Sequence, residues 1–183
     1  MTQFPQGKLL IFPCNLSNDK SFYQVPIKDY IGVVEDELRK NSYERIYCHS
    51  LGSLIFFIHL CERVEALNNT KVFFISPALV SSNLRKAISF LPDSFKIPSL
   101  NRPSWRCHPY CLVRHYREIL ELQSIYQIDD INRFDFVEIV YDPRDELLNV
   151  DKFELLSNRR EYYSKNFPRH LCLDFIERDL FGL

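Results

Sequence analysis

Tyr47-Cys48-His49-Ser50-Leu51-Gly52 follows Glu44-Arg45-Ile46 and leads into Leu54-Ile55-Phe56-Phe57-Ile58. The residues before the serine suit a strand, the apolar run after it suits a buried helix, and Ser50 falls at the reversal between them. A serine at the tip of a tight strand-to-helix turn projects its hydroxyl outward, while the amides that follow point inward as anion-binding donors. Gly52 lacks a Cβ and is expected to let the new helix lie close against the neighbouring strand.

The chain on either side extends this alternation. Lys8-Leu9-Leu10-Ile11-Phe12, closed by Pro13, is a continuous apolar run of the kind buried on both faces of a parallel sheet. Pro26 to Lys40 places Ile27, Tyr30, Ile31, Val34 and Leu38 on one side, which predicts a crossover helix. Leu51 to Leu67 is apolar nearly all round until Glu62, as a helix between a sheet and other helices must be. Lys71 to Ile75 is the next strand, ending in Ser76-Pro77-Ala78, and Phe136 to Tyr141 is another. A helix over Val150 to Ser157, a weaker strand near Tyr162 to Phe167, the loop Pro168-Arg169-His170 and a terminal helix over Leu171 to Leu180 complete the order. The expectation is an α/β fold, a mostly parallel, doubly wound sheet of about five strands with helices on both faces. Residues 81–133 interrupt it with Pro92, Pro98, Pro103, Pro109, Trp105 and a helix expected over Tyr110 to Gln127. This insertion reads as a cap or lid beside the site, or else as a helical excursion that only covers the sheet.

Composition narrows the classes. With 183 residues the chain supports one sizeable core, so 1–183 is taken as a single domain. A formal charge of −1 gives no global attraction to nucleic acid or to acidic membranes. The longest uncharged apolar run, Leu51 to Cys61, is too short to span a bilayer, and the first residues lack a charged-then-apolar signal pattern. The expected compartment is the cytoplasm. Its six cysteines sit mostly in apolar runs, as reduced core thiols do.

A serine hydroxyl is a poor nucleophile until a base takes its proton, and that base must be held by an acid. Ser50 is followed by the acidic turn Asp142-Pro143-Arg144-Asp145-Glu146-Leu147-Leu148 and then by His170, the last histidine. That order, together with the strand-serine-helix turn, resembles the α/β-hydrolases, whose nucleophile elbow reads G-x-S-x-G. Within that superfamily the chain resembles small esterases such as the YqiA-like proteins and the retinoblastoma-binding serine hydrolase type. The resemblance implies Ser50 as nucleophile, His170 as base and Asp145 as orienting acid, with Asp142 as the rival for that last role. It also implies an oxyanion site from the amides of Leu51 and of Asn15 or Leu16, because Pro13-Cys14-Asn15 is similar to the Pro-Gly-Asn after the first strand of some small members. The implied reaction is cleavage of a carboxylic ester or thioester through an acyl-enzyme, with no metal or organic cofactor. Three positions depart from the pattern. Cys48 stands at the first elbow glycine, Cys14-Asn15-Leu16 replaces a glycine-rich loop, and Arg169 replaces the glycine before the histidine. A catalytically silent binding module on the same fold is the alternative these departures permit.

Two further patterns stand outside that scheme. Cys107, Cys111 and His115 fall at i, i+4 and i+8 near His108, a spacing that could hold zinc, although Pro109 interrupts the helix start. Helical core and edge residues give the same pattern, and His49 and His59 are likewise expected to be packing residues. Between Leu84 and Arg117, Arg85, Lys86, Lys96, Arg102, Arg106, Arg114 and Arg117 face the single acid Asp93. Such a stretch is either a solvated basic face or a field that attracts an anionic ester or an acidic carrier protein, with Trp105, Tyr110 and Tyr116 lining an acyl slot.

Overall fold

The computed structural model describes residues 8, 10, 26–62, 67, 69–98 and 110–181. In chain order its elements are α1 (Tyr30–Lys40), β1 (Arg45–His49), α2 (Leu51–Glu62), β2 (Lys71–Ile75), α3 (Asn83–Ile88), β3 (Lys96–Pro98), β4 (Tyr110–Leu112), α4 (Val113–Ile125), β5 (Val137–Tyr141), β6 (Arg159–Glu161) and α5 (Asp174–Phe181). Single turns of 3-10 helix at Ile27–Asp29 and Arg169–Leu171, and longer ones at Ile128–Arg133 and Val150–Leu155, join them.

β1, β2, β5 and β6 form one sheet in that order, and every pair is parallel. A parallel sheet must be covered on both faces, and the alternation along each strand shows how this one is. Val72, Phe74, Val137, Ile139 and Tyr141 join α1 and α2 in the larger core, into which Ile119 of α4 also packs. Phe73, Ile75 and Val140 point the other way, onto Phe175 and Ile176 of α5. Glu138 falls on this second face at 6% exposure, and Lys71 Nζ at 3.2 Å and Arg160 Nε at 2.6 Å neutralise it. α2 lies between the sheet and other helices, with Phe56 edge-on to Phe74 and Phe57 edge-on to Tyr126 at the end of α4. Its run from Ser53 to Leu60 is buried on all sides, as its composition requires.

Several boundaries differ from the sequence reading. The last strand is Arg159–Glu161, not Tyr162 to Phe167, and all three of its residues are exposed. An edge strand of polar residues carries neither an apolar run nor an alternation, so the aromatic stretch beside it gave the stronger signal. Helix was expected from Tyr110, but Tyr110–Leu112 pairs antiparallel with Lys96–Pro98 and helix begins only at Val113. The segment expected as a helix at 150–157 is 3-10 over Val150–Leu155. The terminal helix is broken at Cys172, whose φ of 32° lies in the left-handed region, so α5 starts at Asp174. Four strands of the sheet lie among the described residues. The remaining expected strand, Lys8–Phe12, falls outside them except for Lys8, which pairs with Glu37 of α1, and Leu10.

Because all four strands run the same way, their carboxyl ends share one edge of the sheet. Ser50 follows β1, Ser76 follows β2 and Asp142 follows β5 at that edge. This is where an open α/β sheet places its ligands.

Candidate active site

Ser50 occupies the single residue between β1 and α2 and has φ of 48°. A non-glycine residue resists that conformation, so neighbouring bonds must hold it there. Its amide donates to Ile75 O at 3.0 Å, and its own carbonyl accepts from Ala78 N at 3.0 Å and Ser53 N at 3.1 Å. Ser53 Oγ, fully buried, donates back to Cys48 O at 2.6 Å. The turn is therefore bolted to β1, to the end of β2 and to the first turn of α2. Leu51 opens α2, where amides have no intrahelical acceptor and the helix dipole is positive. Two expectations about the elbow need correcting or completing. A Cβ built on Gly52 meets nothing within 4 Å among the described residues, so close approach to the strand does not explain that glycine. Cys48, in place of the first glycine, is buried, and burial pushes its thiol well above the usual cysteine range, which keeps it a neutral packing group.

The turn after β5 carries two buried aspartates with different partners. Asp142 takes Arg144 in a fork, with Nε to Oδ1 at 2.9 Å and Nη2 to Oδ2 at 2.6 Å, and also accepts the amides of Arg144 and Ser164, both at 2.9 Å. Burial opposes its charge, but these bonds prevail and hold the carboxyl below its ordinary 3.8. Asp145 accepts Leu147 N on Oδ1 at 2.8 Å, and its Oδ2 faces His170 Nδ1 at 2.8 Å. On the other side of that imidazole, Nε2 lies 2.7 Å from Ser50 Oγ. A carboxylate can only accept, so Nδ1 carries the ring proton and Nε2 is left as acceptor for the serine hydroxyl. The structure thus brings Ser50, His170 and Asp145 into one hydrogen-bonded line, with His170 only 4% and Asp145 7% exposed. Asp142 points away from it.

His49 was expected to be packing, and its position is more particular. Its Nε2 lies 3.0 Å from His170 O, a contact in which the histidine must donate, and the two rings sit 5.5 Å apart. Burial, with His170 beside it, lowers its imidazolium from 6.5 to about 4, so it stays a neutral donor. Arg169, at the position of a missing glycine, gives its amide to Glu146 Oε2 at 3.1 Å and rests its guanidinium on the ring of Phe167. The bonds from His49 to His170 O and from Arg169 N to Glu146 are not legible from spacing, because both depend on how distant segments meet. The other candidates divide. Asn15, Leu16, Arg102, Trp105 and Arg106 lie outside the described residues, as do Cys107 and His108. No group of three metal-ligating side chains occurs among the described residues.

Solved structures include a likeness of the fold. A monoacylglycerol lipase from Paleococcus ferrophilus superposes with a TM-score of 0.52 at 12% identity, over 86% of this chain and 75% of that one. The chain has the α/β-hydrolase fold. No protein-family model matches the sequence, and no curated protein sequence matches it. No helix among the described residues is long and apolar enough to cross a membrane. The hydrogen-bonded line from Ser50 through His170 to Asp145 lies at the carboxyl edge of the sheet.

Proposed function

We propose that the protein is a serine hydrolase that cleaves a carboxylic ester or thioester through an acyl-enzyme. The observation that carries this reading is the continuous line from Ser50 Oγ through His170 to Asp145, at 2.7 and 2.8 Å, on an elbow whose serine has a left-handed φ. Ser50 Oγ attacks the carbonyl carbon as its proton moves to His170 Nε2. Asp145 holds the tautomer and balances the imidazolium that forms. The developing oxyanion is held by the Leu51 amide and a second amide from Asn15 or Leu16. His170 then returns the proton to the departing alcohol or thiol, and water repeats the sequence on the acyl-enzyme. No step calls on a metal or cofactor.

The fold neighbour is a lipase, which supports ester chemistry, and the reading adopted is a small esterase of the YqiA-like kind. The substrate proposed is a small ester or thioester, anionic or carried on an acidic protein, met in the cytoplasm. In this reading 81–133 is a cap. Arg117 within it is already engaged by Asp93 and by the carbonyls of Ser89 and Leu91, so steering falls to the other basic residues of the stretch, Arg102 and Arg106 among them. The test is turnover of graded neutral, anionic and carrier-bound acyl substrates together with intact-mass detection of the acyl adduct. Wild type accumulates an adduct on Ser50, and Ser50→Ala loses about 10⁴ or more in kcat. Turnover undiminished in Ser50→Ala removes Ser50 as the nucleophile, and folded wild type with neither turnover nor adduct replaces the proposal with a silent binding module.

A further inference from the structure

The segment that carries His170 is closed at its neck. Ser164 Oγ donates to Asp174 Oδ1 at 2.6 Å, so residues 164 and 174 are tied together with His170 between them. The same carboxylate takes Lys165 N at 3.0 Å, Asn166 Nδ2 at 2.8 Å and Tyr162 OH at 3.3 Å, while Asn166 N returns to Ser164 Oγ at 3.0 Å. Asp174 opens α5, where a carboxylate would ordinarily be spent on its own helix's first amides. Here its bonds go to the preceding loop.

Ser164 also faces the acid turn. Its amide donates to Asp142 Oδ2 at 2.9 Å, and its carbonyl accepts from Arg144 Nη2 at 3.1 Å. All four polar positions of this buried residue are used, two toward the turn that holds Asp145 and two toward the neck of the loop that holds His170. The distance between Asp145 and His170 is set by how these two loops are spaced; Arg169 N to Glu146 Oε2 at 3.1 Å ties them beside the pair, and Ser164 ties the acid turn to the neck.

We infer that Ser164, clamped between Asp142 and Asp174, is a positioning residue that fixes His170 within reach of Asp145 and Ser50. This rests on the hydrolase reading above for its kinetic consequence. A misplacement of about an ångström at a distance from the chemistry can cost a hundredfold in rate, and the neck is the point at which such a shift would be admitted. Loss of the hydroxyl removes the bond to Asp174 Oδ1 and the acceptor of Asn166 N together, so the neck loosens without any change in the residues that touch substrate.

The experiment compares wild type, Ser164→Ala and Ser164→Thr in the full chain, each checked for folding by circular dichroism. Two quantities are read: steady-state kinetics on an ester, and the exchange rate of the His170 Nδ1 proton by NMR, which needs no turnover. Ser164→Ala is expected to lower kcat between about tenfold and a hundredfold with KM changed less than about twofold. It should also speed exchange of the Nδ1 proton, and Ser164→Thr, which keeps the hydroxyl, should restore both. If Ser164→Ala does not fold, Asp174→Ala at the half-exposed side of the neck is compared in the same way. A folded variant with wild-type kcat and wild-type exchange overturns the inference. A wild-type protein without turnover defeats the hydrolase reading instead, and the exchange rates still decide whether Ser164 positions His170.

Discussion

The loops between 142 and 174 and the described part of the 81–133 insertion are built on opposite terms. In the first, Asp142, Asp145, Ser164 and His170 are all under 8% exposed, and each is bonded to another residue of the group or to Ser50. In the second, Phe90 is 87% and Phe95 52% exposed, and β3 and β4 meet over only three residue pairs. Buried polar groups are stable only when mutually satisfied, and a network that satisfies them has one low-energy arrangement. An exposed apolar tip imposes no such condition. The contrast assigns precision to the acid and histidine loops and leaves the exposed tip at Phe90 and Phe95 without such a constraint. Within the insertion, α4 belongs with the rigid part. Gln123 binds Ala78 O and Ser81 Oγ, and Ala78 N in turn binds Ser50 O.

The sharpest way to break this contrast lies inside the acid turn. Asp145→Asn should leave a folded protein with kcat lower by about 10⁴, the cost of losing the group that holds the histidine tautomer. Asp142→Asn should keep far more activity but lower the thermal midpoint by roughly 5 °C or more, because it takes the charge from a buried carboxylate that accepts four hydrogen bonds from Arg144 and Ser164. Steady-state kinetics and thermal melts on both variants decide this, and the reverse pattern would move the acid to Asp142.

A second effect concerns acid stability. His49 and His115 are both lowered from 6.5 to about 4, in each case chiefly by burial. Between those values the unfolded chain takes up protons that the folded chain refuses, so stability falls as pH falls from 6.5 toward 4. Asp142, held below 3.8, adds its own loss only at lower pH. Denaturant melts in wild type and His49→Gln should show the dependence, with a shallower slope in the variant. Equal slopes would mean that His49 is not held neutral against His170. The smallest effect belongs to the insertion. Phe90→Ser and Phe95→Ser should change kcat on a short neutral ester by less than about threefold, and a loss comparable to that of Asp145→Asn would erase the distinction between the two regions.

How much of this the sequence carried depends on whether a residue's role was local. β2 and β5 were legible as apolar runs of buried strands and β1 from its place before the serine turn, and the serine, the acid turn and the last histidine stood in order along the chain. β6 was missed because Arg159, Arg160 and Glu161 are exposed at the edge and leave no pattern. Gly52 was given a packing reason, and the open space beside it shows otherwise. His49 and Ser164 were invisible as functional residues, since what they do follows from bonds to His170 O and to Asp142 and Asp174, formed between segments far apart in the chain. Local chemistry can be read from spacing, and the support of a site cannot.

The central claim is that Ser50 is a nucleophile activated by His170. Treating the native protein with a fluorophosphonate probe and mapping the adduct by mass spectrometry tests it most directly. The account predicts one modified residue, Ser50, with labelling abolished in Ser50→Ala and strongly slowed in His170→Ala. Folded wild-type protein that takes no label, or label that persists in Ser50→Ala, would contradict it.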